Sequence, residues 1–465
     1  MDPSQERVHM DEKIILLKGA DFVVRDSLRT EKGASVAVKG NKILDVGAEL
    51  LGAYAYDEVV DCRGRVLLPG LINCHTHIHE TIMRGRGHDL PFHDWCDRLV
   101  FPAAEAMEEE GDELYYALAQ LAAMENAASG TTAFVEHSVN FSKFHAYTMA
   151  RGMSDFGIRG AVARGAEDFS VIDRGHVGTL EQQISETRDF LVRWAKEGDD
   201  LVQAWVGPSG GKRTVGGCTN EGLVELKKLA DSYDTHYHVH WAGTQPEIEN
   251  VRRDTGLPGS VAMAKELGLL DERTSLAHCI WMVDEEKEIL LETGAQIAHC
   301  PSCNQICAIG VLPLADLLER GVTVALGTDG GPQNDSYDMF RDMRQAVLLQ
   351  RIHLMKADAV RHAQAFRMAT EAGAKVLGIE KLGKIEPGFL ADIVAIKVEG
   401  NPFLTPMYDP IETLVYAGSG GRDVSMTMVD GRIVYMDGEF KTVNADAVIR
   451  TVNEASRRVQ KAMLC

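Results

Sequence analysis

The chain of 465 residues is 45% hydrophobic and 25% charged, a composition typical of a folded globular protein, which excludes extensive disorder. Its 48 basic and 69 acidic residues give a formal net charge of −21, and so acidic a surface argues against binding to nucleic acid or to an anionic membrane. The sequence has no run of 18 apolar residues, which argues against a transmembrane helix.

The N-terminal segment MDPSQERVHMDEK is polar and acidic, without the basic and apolar regions of a signal peptide. The chain has nine cysteines, an odd number, and several lie in apolar strand-like runs, as reduced thiols do. Both features predict a cytoplasmic protein. Residues 13–60 then hold short apolar strands broken by Gly, Asn and Lys turns.

The middle of the chain alternates short apolar strands with amphipathic helical stretches. The eight strands are RVLLPGLINC, TTAFVEH, IRGAVARGA, VQAWVGPS, THYHVHW, TSLAHC, AQIAHCP and VTVALGTD. Strands that alternate with helices predict βαβ units and a parallel sheet. Eight such units predict an α/β fold of the (β/α)₈ barrel type, with active-site residues at the C-terminal ends of the strands.

The C-terminal part of the chain returns to β-structure. Residues 389–440 contain short Gly-bounded strands, and an amphipathic helix is predicted after them. Neither end of the chain has enough strands to close a core alone, so we expect the two ends to share one small sheet.

Histidines and an aspartate stand at the ends of the barrel strands. His75 and His77 end the first strand, and because residues i and i+2 of a strand share a face, both can bind one ion. The fifth to eighth strands end, in order, at His240, His278, His299 and Asp329. Imidazole and carboxylate are ligands of Zn²⁺ and Fe²⁺, so the sequence predicts one divalent metal ion, with zinc the first candidate and iron the second.

Several stretches of the chain resemble one known family. HTHIHETIMRGRGHDLPFHDW, GLLDERTSLAHC, HCPSCN, GTDGGPQND and GFLADIVAI are similar to the amidohydrolase superfamily, and more closely to its branch of triazine hydrolases, guanine deaminase and adenosylhomocysteine deaminase. The resemblance covers nearly the whole chain. It implies a TIM-type barrel at 69–385, a small composite β-sandwich from 1–68 and 386–445, and a terminal helix at 446–465.

The resemblance also implies roles for single residues. His75, His77 and His240 match the three histidine ligands of the metal. Asp329 matches the carboxylate that binds the metal and accepts a proton from its water. His278 matches a histidine beside the metal that orients the water or the substrate.

Four further residues match positions that bind or surround the substrate. His299 and Asn304, in HCPSCN, match the neighbourhood of the substrate. Trp95 and Arg84 fall in the segment that shapes the substrate pocket. For these last two the alternatives stay open, because Trp95 could equally be a packing residue and Arg84 one partner of a surface ion pair.

One departure from the family pattern concerns proton transfer. The deaminases of this branch carry a glutamate three residues after the third histidine ligand, whereas the residue three positions after His240 is Gly243. That glutamate passes a proton to a ring nitrogen or leaving group. A nearby carboxylate could substitute, with Glu80, Glu136 and Glu247 as candidates. Otherwise the substrate needs no such proton, or the protein binds metal without catalysis.

The sequence as a whole predicts a metal-dependent hydrolase, and first a deaminase of an aminated N-heterocycle such as a purine, pterin, pyrimidine or triazine. The first alternative is a hydrolase that displaces chloride or an alkylamine from a triazine-like ring. The second is a non-catalytic protein that binds metal or a heterocycle. We expect a small heterocyclic substrate and a homodimer or higher homo-oligomer, with no nucleic-acid or membrane partner.

Overall fold

The structure is a computed structural model that describes residues 13–170, 177–211 and 217–463. The N-terminal segment that argues against a signal peptide and the last two residues of the predicted terminal helix lie outside these ranges. None of the helices within the described ranges has the length and apolar character needed to cross a membrane.

The strands follow one another along the whole chain. In chain order they are β1 (Ile14–Val24), β2 (Thr30–Lys39), β3 (Lys42–Gly47), β4 (Glu58–Asp61), β5 (Arg65–Pro69), β6 (Leu71–His77), β7 (Thr131–Ser138), β8 (Arg159–Ala166), β9 (Val202–Pro208), β10 (Tyr237–Trp241), β11 (Thr274–His278), β12 (Gln296–His299), β13 (Val324–Leu326), β14 (Asp329–Gly330), β15 (Ile393–Lys397), β16 (Val424–Val429), β17 (Arg432–Met436) and β18 (Glu439–Phe440).

Helices separate the strands from β6 to β13, and further helices follow β14. In chain order they are α1 (Phe92–Trp95), α2 (Phe101–Glu108), α3 (Asp112–Ala128), α4 (Ala146–Phe156), α5 (Leu180–Glu197), α6 (Asn220–Ser232), α7 (Gln245–Thr255), α8 (Ser260–Glu266), α9 (Asp284–Thr293), α10 (Pro301–Ile306), α11 (Leu314–Arg320), α12 (Gly331–Asn334), α13 (Met339–Leu354), α14 (His362–Met368), α15 (Glu371–Val376), α16 (Pro410–Ala417), α17 (Gly420–Asp423) and α18 (Ala445–Val459). Two 3₁₀ helices lie at Ile78–Met83 and Asn140–His145, and a π-helix lies at Cys96–Val100.

Both ends of the chain contribute to one nine-stranded sheet, as the sequence predicts. Its order is β18-β17-β16-β15-β5-β1-β2-β3, with β4 paired to β1. The two ends meet where β5 runs antiparallel to β15, with Leu67 opposite Ala395. Apolar side chains from both ends fill a core of their own, among them Ile15, Leu17, Val36, Ile393 and Met426.

The strands β6 to β14 form the predicted barrel. The sheet order is β13-β12-β11-β10-β9-β8-β7-β6-β14, and the pairs along it are parallel. β13 and β14 lie at opposite ends of this order, yet only Gly327 and Thr328 separate them in the chain. The sheet therefore closes on itself, with β13 and β14 acting as the interrupted eighth strand of a (β/α)₈ barrel.

The first barrel strand begins later than the sequence run RVLLPGLINC suggests. Residues Arg65–Pro69 form β5 of the end sheet, and the barrel strand β6 starts at Leu71. Gly70 allows the change of sheet, because a Cβ there would lie 2.0 Å from Thr132 Oγ1. Both strands are buried, so one continuous apolar run conceals the point where the chain leaves one sheet for the other.

A buried ion cluster joins the barrel to the end sheet. Arg159, at the start of β8, donates to both carboxylate oxygens of Asp392 at 3.1 Å and to Asp430 Oδ1 at 2.7 Å. The Arg159 side chain is 5% exposed and that of Asp392 is 1% exposed. The cluster lies at the N-terminal ends of the barrel strands, away from the end where active sites of such barrels form.

Candidate metal centre and active-site cleft

Four strand ends bring imidazoles and one carboxylate to a single point inside the barrel mouth. His75 Nε2 and His77 Nε2 lie 3.4 and 3.3 Å from Asp329 Oδ1. His77 Nε2 lies 3.1 Å from His240 Nε2. His278 Nε2 lies 3.5 Å from Asp329 Oδ2. The structure thus brings together all five residues that the sequence assigns to the metal and its water.

Backbone carbonyls fix the orientation of two of these rings. His77 Nδ1 donates to the carbonyl of His137 at 2.7 Å, and His240 Nδ1 donates to the carbonyl of Ser209 at 2.7 Å. Since a carbonyl only accepts, the Nδ1 atoms of the neutral rings carry the protons and both Nε2 atoms present lone pairs. The two Nε2 atoms lie 3.1 Å apart, so either a proton on one ring or a metal ion must lie between them, and a metal ion would use the lone pairs of both rings.

A third ring is held by side chains. His75 Nδ1 and His238 Nε2 are hydrogen-bonded at 2.8 Å, and His238 Nδ1 and Ser275 Oγ at 2.5 Å. Within the described residues His75 Nε2 has no hydrogen-bond partner, and it faces the carboxylate of Asp329. His238 lies on β10 two residues before His240 and points inward as a support for His75.

Burial sets the charges of the cluster. Burial and the neighbouring His75 lower the pKa of His77 to about 3, so its imidazole is neutral at physiological pH. Burial alone would raise the pKa of the Asp329 carboxyl, but the surrounding imidazoles, His75 foremost, hold that pKa well below its usual range. Neutral imidazoles beside an ionised carboxylate are the protonation states that a divalent metal requires.

The backbone is strained at two of these strand ends. His278 and Asp329 both have a φ of 67°, in the left-handed region that non-glycine residues rarely adopt. Such strain concentrates at functional sites, where the surrounding structure maintains it. Here it turns both side chains towards the same point.

His137 also belongs to the cluster, and the sequence reasoning missed it. A ring nitrogen of His137 lies within 4.8 Å of ring nitrogens of His75, His77 and His240. Its Nε2 donates to the carbonyl of Gly207 at 2.9 Å, and its Nδ1 has no partner. The signal was present, because TTAFVEH ends in a histidine at the position where the other strands carry theirs.

A cleft opens from the cluster towards solvent. Its apolar wall is formed by Phe92, Trp95, Val100, Phe101 and Ile309. Polar groups also line it, namely Glu80, Asn140, Glu167, Ser209, Thr244, Glu247, Asn250 and Gln333. The aromatic wall and the polar groups suit a flat heterocycle that carries hydrogen-bonding atoms.

The residues predicted to bind substrate divide between the cleft and its surroundings. Trp95 lines the cleft and is 8% exposed. Arg84 lies outside the lining and pairs with Glu125. Asn304 lies behind the cleft, where its Oδ1 accepts from His278 Nδ1 at 3.1 Å. His299 is fully buried, and neither of its ring nitrogens has a hydrogen-bond partner.

The three candidate proton shuttles differ in their surroundings. Glu136 accepts from the Ile78 backbone N–H at 2.7 Å and from Thr76 Oγ1 at 3.1 Å, and it does not line the cleft. Glu247 lines the cleft but accepts from the backbone N–H groups that precede α7, those of Ala242 and Gly243, at 2.8 and 3.1 Å. The third candidate, Glu80, lines the cleft with an unpartnered Oε2.

The chain matches the model of one protein family, and it is similar to several known proteins. The model of the amidohydrolase family matches residues 66–434. A 5′-deoxyadenosine deaminase of Methanothermobacter thermautotrophicus is 36% identical over 447 residues, 96% of this chain and 99% of the relative. A 5-methylthioadenosine/S-adenosylhomocysteine deaminase of Pyrococcus furiosus is 32% identical over 436 residues, 94% of this chain and 97% of the relative. The crystal structure of an adenosine deaminase of Xanthomonas campestris with bound zinc has a TM-score of 0.87 at 25% identity, covering 97% of this chain and 99% of that one.

Proposed function

The chain belongs to the amidohydrolase family, and on that premise we propose that it deaminates an adenosine nucleoside modified at its 5′ carbon. It is a metal-dependent deaminase of an N-heterocycle, as its relatives are. The choice of nucleoside rests on the two relatives above, one named for 5′-deoxyadenosine and the other for methylthioadenosine and adenosylhomocysteine. The observation that carries the proposal is the convergence of four histidines and Asp329 beneath a cleft with an aromatic wall.

We assign the metal to His75, His77, His240 and Asp329, and we propose zinc as the ion. Support comes from the Nε2 atoms of His77 and His240, whose lone pairs face each other at 3.1 Å. Three histidines and a carboxylate are a zinc donor set. When bound, such an ion polarises a water molecule and lowers its pKa towards neutrality.

The remaining chemistry falls to the protein's own side chains. Asp329, ionised and within 3.5 Å of three imidazoles, accepts a proton from the attacking water. His278 orients that water or the substrate, and Asn304 holds its ring by accepting from Nδ1. The aromatic side chains of the cleft wall offer surfaces on which a flat adenine ring could stack.

A second candidate reaction displaces chloride or an alkylamine from a triazine-like ring. Gly243 favours it, because chloride leaves without a proton and so needs no acid at that position. A purely binding function has no such support, because binding alone does not require a proton acceptor such as Asp329.

A substrate panel tests the proposal. The purified, zinc-loaded chain is given 5′-deoxyadenosine, methylthioadenosine, adenosylhomocysteine, adenosine, guanine and a chlorotriazine, and ammonia and chloride are measured. We expect the highest kcat/KM for a 5′-modified adenosine, with ammonia as the product and the inactive Asp329→Asn variant as control. Faster release of chloride, or a preference for guanine, would overturn the proposal in favour of that substrate.

Two further properties are part of the proposal. A cytoplasmic location is supported by the eight cysteines within the described residues, all of which are free thiols. A homodimer or higher homo-oligomer is supported by exposed apolar side chains around the end of α13, Ile352 at 66% and Met355 at 82% exposure. Light scattering of the purified chain, and of an Ile352→Glu variant, tests the oligomer.

A further inference from the structure

We infer that Glu80 is the general acid of this enzyme and acts in place of the glutamate that is absent at Gly243. The inference rests on the proposed deamination and adds one catalytic residue to it. In the reaction Glu80 hands a proton to the ring nitrogen next to the attacked carbon.

Glu80 lines the same cleft as three residues of the proposed metal centre. Glu80 belongs to the 3₁₀ helix Ile78–Met83, which follows β6 directly, and it is the third residue after His77. Glu80 is 2% exposed, and it lines the cleft together with His77, His278 and Asp329. No other candidate shuttle combines a place in the cleft with a carboxylate oxygen that has no hydrogen-bond partner within the described residues.

The unpartnered oxygen of Glu80 occupies space that is open because residue 330 is a glycine. A Cβ at Gly330 would lie 2.1 Å from Glu80 Oε2 and 2.3 Å from Gln333 Oε1. These two oxygens therefore converge beside the residue that follows Asp329, and neither has a hydrogen-bond partner within the described residues. A proton on Glu80 Oε2 would let it donate to Gln333 Oε1, so this buried pair of acceptors fits a neutral Glu80 carboxyl that can pass its proton to a substrate.

The two other candidates already have structural roles. Glu136 binds the backbone N–H of Ile78 and the hydroxyl of Thr76 and does not face the cleft. Glu247 satisfies two N–H groups ahead of α7 and accepts from Ser260 Oγ at 3.2 Å. An acid that protonates a substrate must reach its acceptor at about 2.6–3.2 Å, and these bonds hold both carboxylates elsewhere.

The surroundings of Glu80 favour its acid form. Burial raises the pKa of Glu80 well above its usual range. A neutral carboxyl is a proton donor, as the role requires, whereas an exposed glutamate is already ionised at neutral pH.

The proposed step balances in atoms and charge. Water forms a bond to the ring carbon and gives one proton to Asp329, while the C=N electrons move to the ring nitrogen, which takes the proton of Glu80. The bond from carbon to the exocyclic amine then breaks, and the amine takes the proton from Asp329 and leaves as ammonia. The last proton of the added hydroxyl restores Glu80 as the C=O bond forms.

Gly243 provides the critical control. A Cβ at that position would lie 3.7 Å from His278 Cδ2, an ordinary contact, so a side chain fits there beside the reacting centre. A glutamate introduced at 243 should therefore supply the acid from a second position when Glu80 is removed.

The experiment compares wild type, Glu80→Gln, Glu136→Gln and the double variant Glu80→Gln with Gly243→Glu. The measurements are kcat and KM for 5′-deoxyadenosine, metal content, melting temperature, and the Kd of a ring-expanded nucleoside whose tetrahedral hydroxyl carbon mimics the addition product. We expect Glu80→Gln to lower kcat at least 100-fold and to weaken that Kd to a similar degree, with KM, metal content and melting temperature nearly unchanged. Glu136→Gln should change kcat less than tenfold, and Gly243→Glu should restore at least a tenth of the lost activity.

The other possible results distinguish failure of the role of Glu80 from failure of the proposed function. Wild-type turnover in Glu80→Gln, in a chain that deaminates 5′-deoxyadenosine, overturns the role of Glu80 and leaves the proposed function standing. A wild type that deaminates no nucleoside overturns the proposed function and this inference with it. If Glu80→Gln does not fold, Glu80→Asp replaces it, because that variant moves the carboxyl group back by one methylene. An unchanged kcat in Glu80→Asp would overturn the inference.

Discussion

At the scale of single residues, the metal centre depends on where each imidazole places its proton. His77 and His240 each donate Nδ1–H to a backbone carbonyl, which leaves Nε2 free for a metal. The carbonyls belong to His137 and Ser209, on or beside neighbouring barrel strands. The tautomers of these two proposed ligands are therefore set by the main chain, which mutation of neighbouring side chains leaves in place, whereas His75 is held by the side chain of His238.

The ligand assignment makes a prediction about metal content. Wild type should hold one divalent ion per chain, and the double variant His75→Ala with His240→Ala should hold less than a tenth of that, because only one histidine ligand and one carboxylate remain. Elemental analysis after gel filtration measures this. Retention of a full equivalent by the double variant would show that the ion binds elsewhere.

The role of Asp329 makes a prediction about rate. Asp329→Asn keeps the size of the side chain but cannot accept a proton, so kcat should fall by about 10²-fold or more. Steady-state kinetics on the best substrate of the panel measure it, with the variant reloaded to full metal occupancy. Turnover close to that of wild type would remove Asp329 from proton transfer.

At the scale of secondary-structure elements, the barrel strands have separate tasks at their two ends. The C-terminal ends of β6, β10 and β11 and the first residue of β14 carry the residues of the proposed metal centre, whereas the N-terminal end of β8 is tied to the end sheet by Arg159. This division between an active and a stabilising face is usual for such barrels. The tie is ionic, and the side chains of Arg159 and Asp392 are almost fully buried, so the loss of either one should destabilise the fold more than the loss of an exposed ion pair.

The ion cluster makes a prediction about stability. Arg159→Ala should lower the free energy of unfolding by about 3–5 kcal/mol, because the buried Asp392 and its neighbour Asp430 would lose their cationic partner. The control is Arg151→Ala, which removes an exposed ion pair to Asp155 at 3.0 Å. This variant should lower the free energy of unfolding by less than about 0.5 kcal/mol. Urea denaturation compares the two. An equal, small loss in both variants would show that the buried cluster adds no stability.

The terminal helix is another element whose position follows from its pattern. α18 buries Val448, Val452, Ala455 and Val459, a spacing of three to four residues that forms one apolar face. It packs against α3, and Arg458 forms an ion pair with Glu110 at 2.5 Å. The helix predicted at 446–465 thus corresponds to Ala445–Val459 in the structure.

At the scale of the whole molecule, the proposed metal ligands join the seam of the barrel. β14, which carries Asp329, pairs with β6, which carries His75 and His77, and this is where the first and last strands meet. His240 reaches the same point from β10, across the barrel. An ion held by these residues therefore links distant parts of the chain.

This geometry makes a prediction about metal removal. A chelator should lower the melting temperature and abolish activity, and added zinc should restore both, because a ligand bound only by the native state stabilises it. At a free metal concentration of 100 times the Kd, the stabilisation of the native state amounts to about 2.7 kcal/mol. The double variant His75→Ala with His240→Ala should not respond to the chelator. Calorimetry measures both proteins, and an unchanged melting temperature in metal-free wild type would contradict the prediction.

The sequence by itself determined the barrel, the composite sheet and the strand ends that carry His75, His77, His240, His278 and Asp329. It could do so because strands alternate every second residue and parallel strands end on one side, rules that act over a few residues. Only the tertiary structure decided that β5 leaves the barrel, that His137 and His238 join the cluster, and which candidate glutamate keeps an unpartnered oxygen in the cleft. Glu80, Glu136 and Glu247 look alike in sequence, but Glu136 is bonded by groups that follow and end another strand, Glu247 by its own loop and Ser260, and Glu80 lies against Gly330, and these surroundings exist only in the folded barrel.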